Sequence, residues 1–315
     1  MMRVTNTMLI NNMVYNLNQN MKAMEKLQYQ LATGKKFRVP SDDPIGASKS
    51  LKFNTDISKL KQYKRNAEDA LSWLDDTESA LGEINEVLKR AYELAVQIAN
   101  ETYAGEDLNM VKEEIEQLKE HLMQIANTTY AGRHIFSGYK TDQPLLKKED
   151  GEIVYNIDLT QDEIFRYNVG ITENIDVNTV GTRVFGVVTG TDYSYDEDVV
   201  NASAKPALID VLDRFSQALS ANDSETIANT ISQLQACMEQ VLSVRAEVGA
   251  KMNRLELTAK KLDSQINNVT ELLSRNEDVD VAETIMHLSM AQNVYLSSLM
   301  TGAQIIQPTL AQFLR

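Results

Sequence analysis

Apolar residues recur at alternating spacings of three and four in three stretches of this chain, and two of the three stand at its ends. The first runs Ile10, Met13, Leu17, Asn20, Met24, Leu27, Leu31, with only Asn20 polar. A longer one runs Ile231, Leu234, Met238, Val241, Arg245, Val248, Met252, Leu255, Ala259, Leu262, Ile266, Val269, Leu273, broken only by Arg245. The third passes through Val281, Ile285, Leu288, Tyr295 and Leu299. A sustained 3.5-residue period puts such side chains on one seam of a helix, and a seam needs a partner helix. First and last helices that are both narrow seams suit a chain built to assemble.

The punctuation of the chain agrees with long helices. Thr7–Thr33 reads as a helix closed by Gly34 in the left-handed conformation. Asp42-Asp43-Pro44 reads as the start of the next: an Asp cap, with proline at the first helical position, where its missing N–H is harmless. No further proline appears before Pro144. The stripe Ile57, Leu60, Ala67, Leu71, Leu74, Leu81, Ile84, Leu88, Ala95 carries that helix to about Asn100, roughly 80 Å at 1.5 Å per residue. A helix so long predicts a rod. After a turn at Tyr103-Ala104-Gly105, the set Leu108, Val111, Ile115, Leu118, Leu122, Ile125 predicts an antiparallel neighbour.

Between residues 130 and 200 glycines recur and short alternating runs, Glu152–Ile157 and Phe165–Val169, have strand periodicity. Helical pattern resumes near Lys205, breaks at Asn222-Asp223 and continues to Ser274. Asp280 with Glu283 predicts a capping box for the last helix, which Pro308 is expected to kink or end. The expected fold is mainly α: an antiparallel helical rod or coiled coil, its terminal helices paired at one end and a small β-rich module at the other. The expected divisions are terminal coiled-coil segments at 1–40 and 280–315, rod at 41–139 and 201–279, and outer module at 140–200.

Charge sharpens the picture. The net charge is −14 and is uneven: residues 1–40 hold six Lys/Arg against one acid, 141–200 four against thirteen. An acidic middle argues against nucleic acid, whose phosphates need a clustered basic face. The basic start reads as a solvated coiled-coil flank. Cys237 is the sole cysteine, so no internal disulfide is expected, and it reads as a small helix residue. The first residues lack the apolar core of a secretory signal and no stretch approaches the length of a membrane span, so any export is expected to use another route. His121, His134 and His287 share no ligand-like spacing with acids or Cys237, and no glycine-rich loop opens a helix to cradle phosphate. Asp75-Asp76 and Glu113-Glu114 point about 100° apart on their helices and read as exposed faces. No catalytic site, metal or cofactor is expected.

The run Leu31-Ala32-Thr33-Gly34-Lys35-Lys36, followed by Pro40-Ser41-Asp42-Asp43-Pro44-Ile45-Gly46-Ala47, resembles the N-terminal region of the bacterial flagellin superfamily. Gln62–Asn66, Ala70–Asp75 and Gly132-Arg133-His134-Ile135-Phe136-Ser137-Gly138 support the resemblance, and Ala291–Arg315 is similar to the shared C-terminus. It covers nearly the whole chain and is weakest over 140–200. Filament subunits tend to carry an alanine-rich version of the Asp-Asp segment without its two prolines, so the chain looks most like the branch of the family at the hook–filament junction. The resemblance implies a structural axial component of the flagellum, an adaptor joining hook-associated proteins to the filament. It also implies export through the flagellar channel without a cleaved signal peptide. Implied partners are other hook-associated proteins, flagellin, further copies in a ring and an export chaperone, with no nucleic acid and no stable membrane insertion. Implied assembly residues are Ile10, Met13, Leu17, Met24, Leu27 and Leu31 with Ile285, Leu288, Tyr295 and Leu299. The motif loop and cap are Gly34, Pro40, Ser41, Asp42, Asp43 and Pro44. Filament flagellin is the alternative, and a secreted membrane-active helical bundle a remoter one, against which the frequent charges on the long helices count.

Overall fold

The computed structural model describes residues 6–100, 105–149, 151–189, 192–195, 197–221 and 223–313. Seven helices carry most of them: α1 (Asn6–Thr33), α2 (Pro44–Asn100), α3 (Gly105–Ala126), α4 (Gly181–Phe185), α5 (Ala207–Ala221), α6 (Ser224–Glu277) and α7 (Val281–Phe313). Between α3 and α5 lie ten short strands, all in antiparallel pairs: β1 (Thr129–Tyr130) with β2 (Arg133–His134), β3 (Leu146–Glu149) with β4 (Glu152–Tyr155), β5 (Leu159–Thr160) with β10 (Val199–Val200), β6 (Arg166–Asn168) with β7 (Asn174–Asp176), and β8 (Val187–Thr189) with β9 (Asp192–Ser194). The chain is mainly α, with small strand pairs in the middle, as its periodicity predicts. The turn expected at Tyr103 and Ala104 lies outside the described residues.

Contacts divide the chain into two compact units, Leu60–Asp263 and a terminal unit of Met1–Lys59 with Ser264–Arg315. In the larger unit the expected stripes are the core. From Ile231 to Leu262 every heptad position of α6 is buried or half-buried. On α3, Leu108, Ile115, Leu122 and Ile125 are buried, and on α2 so are Ala67, Leu74, Leu81, Ile84, Leu88 and Ala95. Arg245, the one break in the stripe, donates from Nε to Glu78 Oε1 at 2.6 Å. It lies over Gly82, whose missing Cβ would stand 3.6 Å from the guanidinium.

The Ile135-Phe136-Ser137-Gly138 run is packing and turn. Phe136 meets Phe185 edge to face at 5.9 Å, Ser137 donates to Gln143 O at 2.9 Å, and Gly138 has φ +58°. Trp73 on α2 stacks edge-on against Tyr130 and Phe165 at 5.6 and 6.4 Å. Cys237, on α6, is buried and accepts from the Tyr195 hydroxyl at 3.3 Å.

Of the two effects expected at Pro308, a kink or an end, the end is not found. Pro308 does not end α7, which continues to Phe313. Proline removes the N–H that would bond the carbonyl of Gln304, but it leaves the flanking hydrogen bonds of a 33-residue helix in place. Among the described residues no helix is long and apolar enough to cross a membrane.

Candidate assembly site: the terminal helix pair and its junction

The terminal unit is built by α1 packing along α7, with the ends of α2 and α6 between them in sequence. On α1 all seven stripe positions, Ile10, Met13, Leu17, Asn20, Met24, Leu27 and Leu31, are half-buried, and the residues between them are almost all exposed. The α7 seam is phased differently from the apolar reading. Leu288 and Tyr295 lie in it, but its line is Thr284, Leu288, Ala291, Tyr295, Ser298, Gly302, spaced 4-3-4-3-4. Ile285 and Leu299 stand outside it, 50 % and 41 % exposed, as does Val281. At Gly302 the seam needs a small residue because Met13 of α1 fills the space opposite. A Cβ on Gly302 would sit 1.7 Å from Met13 Cε, inside van der Waals contact. Reading only apolar residues passes over Thr284, Ser298 and Gly302, although their spacing was visible.

This unit has a shallow interior. Among its described residues the fully buried ones are Gly46, Ala47, Ser50, Thr284 and Gly302, all small. Among these described residues no large apolar side chain is fully removed from water. Met8, Val14, Tyr15 and Met21 on α1, and Ile285, Met286, Met290, Leu296, Leu299 and Met300 on α7, remain exposed. Contiguous exposed apolar surface is the kind that suits a partner.

The motif loop closes one end of the pair. Gly34 has φ +70°, and its N–H reaches back to Gln30 O at 2.8 Å. Pro40 and Ser41 are the exposed centre of a turn in which the Asp42 N–H donates to Val39 O at 3.0 Å. The two aspartates then divide the work. Asp42 Oδ2 accepts the N–H groups of Arg38 and Val39 at 3.1 and 3.3 Å. These hold its carboxyl below the usual range. Asp43 caps α2: its Oδ1 accepts the Gly46 N–H at 2.9 Å, with Pro44 at the first helical position. Any side chain at 46 would strike that carboxylate, 2.3 Å from the missing Cβ.

The other half of the junction is residues 274–280, of which the sequence marks only Asp280, because the polar residues before it look like an ordinary helix end. Lys35 pairs with Asp278 as an isolated antiparallel bridge. The Lys36 N–H donates to Glu277 O at 2.6 Å and the Val279 N–H to Gly34 O at 2.9 Å. Lys35 Nζ lies 3.0 Å from Glu277 and 2.6 Å from Asp278, whose other oxygen accepts from Ser274 at 2.6 Å. Lys36 Nζ donates to Arg275 O at 2.7 Å, a cation on a helix C-terminus. Asn276 donates to Gly46 O and Ser50 Oγ at 2.9 and 2.7 Å. Asp280 then caps α7 through the N–H groups of Ala282 and Glu283 at 2.9 and 3.2 Å. The Glu283 carboxylate lies 3.4 Å from His287.

Comparison with known proteins bears on these same segments. The profile described as the bacterial flagellin N-terminal helical region matches residues 4–141, and that of the C-terminal helical region matches 231–314. Flagellin of Halalkalibacterium halodurans is 31 % identical over 281 residues, spanning 88 % of this chain and 85 % of that protein. Flagellar hook-associated protein 3 of Escherichia coli is 27 % identical over 298 residues, spanning 89 % and 92 %. The solved structure of a flagellar hook-associated protein from Vibrio parahaemolyticus superposes with a TM-score of 0.64 at 20 % identity, covering 75 % of this chain and all of that one. That likeness shows a shared fold. With both terminal helical regions matched and a relative above 30 % identity along most of its length, this chain belongs to the bacterial flagellin family.

Proposed function

We propose that this chain is a structural, non-catalytic axial component of the bacterial flagellum, an adaptor at the junction between hook-associated proteins and the flagellin filament. The observation that carries the assembly role is the terminal unit, among whose described residues no large apolar side chain is fully buried while two seam helices expose apolar faces. Such surfaces are completed by neighbours, here further copies of the chain, hook-associated proteins and flagellin. The α1 seam residues hold the pair together, and the exposed Ile285 and Leu299 meet the neighbour. The acidic 140–200 module forms the outer part, and export through the flagellar channel, with a chaperone covering the apolar faces beforehand, completes the reading.

The junction position is supported by the Pro40–Pro44 loop, the Ile135–Gly138 turn and the likeness to hook-associated protein 3 along 92 % of that protein. A second reading, a filament subunit, is favoured by the higher identity to a flagellin. Deleting the gene and imaging the cells separates them. A junction adaptor leaves hooks without filaments and flagellin shed into the medium, and mass spectrometry of sheared wild-type filaments finds this chain only in trace. Filaments made chiefly of this chain would overturn the junction reading.

A further inference from the structure

One polar atom of the larger unit is buried without the partner that its chemistry calls for. Trp73, 8 % exposed, carries an indole N–H that is shut off from water and makes no hydrogen bond among the described residues. A buried indole N–H ordinarily finds an acceptor, and leaving one unpaired is costly. Its ring meets Tyr130 and Phe165 edge to face. An N–H aimed at a ring is a weak substitute for an oxygen.

A cavity of about 40 Å³ lies against this ring, lined by Trp73, Arg133, Thr141, Phe165, Tyr167 and Val177. One water needs on the order of 10–15 Å³ of such space, so there is room for a group of about three heavy atoms. The lining side chains offer donors and no carboxylate. Indole and guanidinium can only donate, and the Thr141 and Tyr167 hydroxyls are able to. The Thr141 carbonyl is already taken by the His134 N–H at 2.8 Å. Arg133 is exposed and has no ion-pair partner among the described residues. Against such a lining water uses only its acceptor side. A carboxylate matches it better, with a charge for Arg133 and two oxygens to share among the donors.

We propose that this pocket is a binding site for a small carboxylate, held by Arg133, Thr141 and the Trp73 N–H. The carboxylate is either a free acid of formate or acetate size or the tip of an acidic side chain on a neighbouring protein. The site lies within Leu60–Asp263 and stands whichever axial position the chain occupies.

Trp73 is the only tryptophan, so the full-length chain grown with isotope-labelled tryptophan gives one indole N–H signal by nuclear magnetic resonance. Formate and acetate, titrated with sodium chloride balancing the ionic strength, should each move that proton downfield along a saturating curve. Neutral acetamide should leave it in place. Arg133→Gln, at an exposed position, should weaken binding by about tenfold, as loss of a charge-assisted hydrogen bond does, with the thermal midpoint unchanged. Acetyl-glutamate amide acting as acetate does assigns the site to an acidic side chain of a neighbour; a response to formate and acetate alone assigns it to a free acid. A signal that carboxylates do not move, or that drifts without saturating and equally in Arg133→Gln, would overturn the site and leave the indole N–H to the aromatic rings. An equal response to acetamide would overturn it too.

Discussion

The carboxylates around the motif loop set three measurable quantities. Asp43→Ala removes an N-cap bond and is expected to lower helix stability by about 1 kcal/mol, read as a fall in thermal midpoint. Gly34→Val should lower it further, because a β-branched residue resists a φ of +70° although space is free around the missing Cβ. If neither substitution shifts the melt, the capping account is wrong. The Lys35 hydrogen bond, then that of Ser274, holds Asp278 below the ordinary aspartate range. The Asp278 hydrogen bond, then that of Glu277, holds Lys35 above the lysine range. A lowered carboxyl contributes stability above its unfolded value that is lost as pH falls through the folded one. A raised lysine contributes below its unfolded value and loses it as pH rises through the folded one. The Lys35–Asp278 contact should therefore keep its full contribution through neutral pH and lose it at the acid end, as Asp278 takes up its proton. Thermal midpoints of the unchanged chain and of Asp278→Asn measured from pH 3 to 9 check this, and a difference between the two that vanishes near pH 6 would contradict it.

At the scale of elements the two units rest on different physics. In the larger one, Lys119 of α3 is nearly buried between Asp213 of α5 at 2.7 Å and its own helix's Glu116 at 2.6 Å. Burial works against its charge, but the two carboxylates outweigh that and keep its pKa above the lysine range. Lys119→Met would leave both acids facing each other, and is expected to destabilise by about 3 kcal/mol in urea unfolding. Arg245→Leu, which removes a half-exposed pair, should change stability by less than about 1 kcal/mol. Similar losses in the two variants would refute the distinction. The helices and most of the core were legible because a 3.5-residue period survives the single intrusion of Arg245. The seam on α7 is out of phase with the apolar stripe because Thr284, Ser298 and Gly302 are small rather than apolar, and at Gly302 the bulk of Met13 opposite is the reason. Residues 274–279 carry no local signal: Asn276, Glu277 and Asp278 become meaningful only when Gly46, Ser50 and Lys35, more than 200 positions away, are brought beside them.

For the whole molecule the central claim is that the terminal pair is unfinished until neighbours cover it. Leu17→Asp with Leu27→Asp puts charge into the α1 seam, and an unpaired charge in a desolvated seam costs several kcal/mol. Those variants should lose the helix pair and assembly together, so they do not separate the two. Ile285→Asp with Leu299→Asp does, because both side chains lie outside the α1–α7 seam and half in water. The deciding measurement is to complement a deletion strain with this double variant, confirm its export by immunoblot of the medium, and count filaments by electron microscopy. The account predicts an exported protein with unchanged helix content by circular dichroism and hooks that carry no filaments. Filaments of normal number and length from the exported variant would contradict it and turn the search for the interface to the 140–200 module.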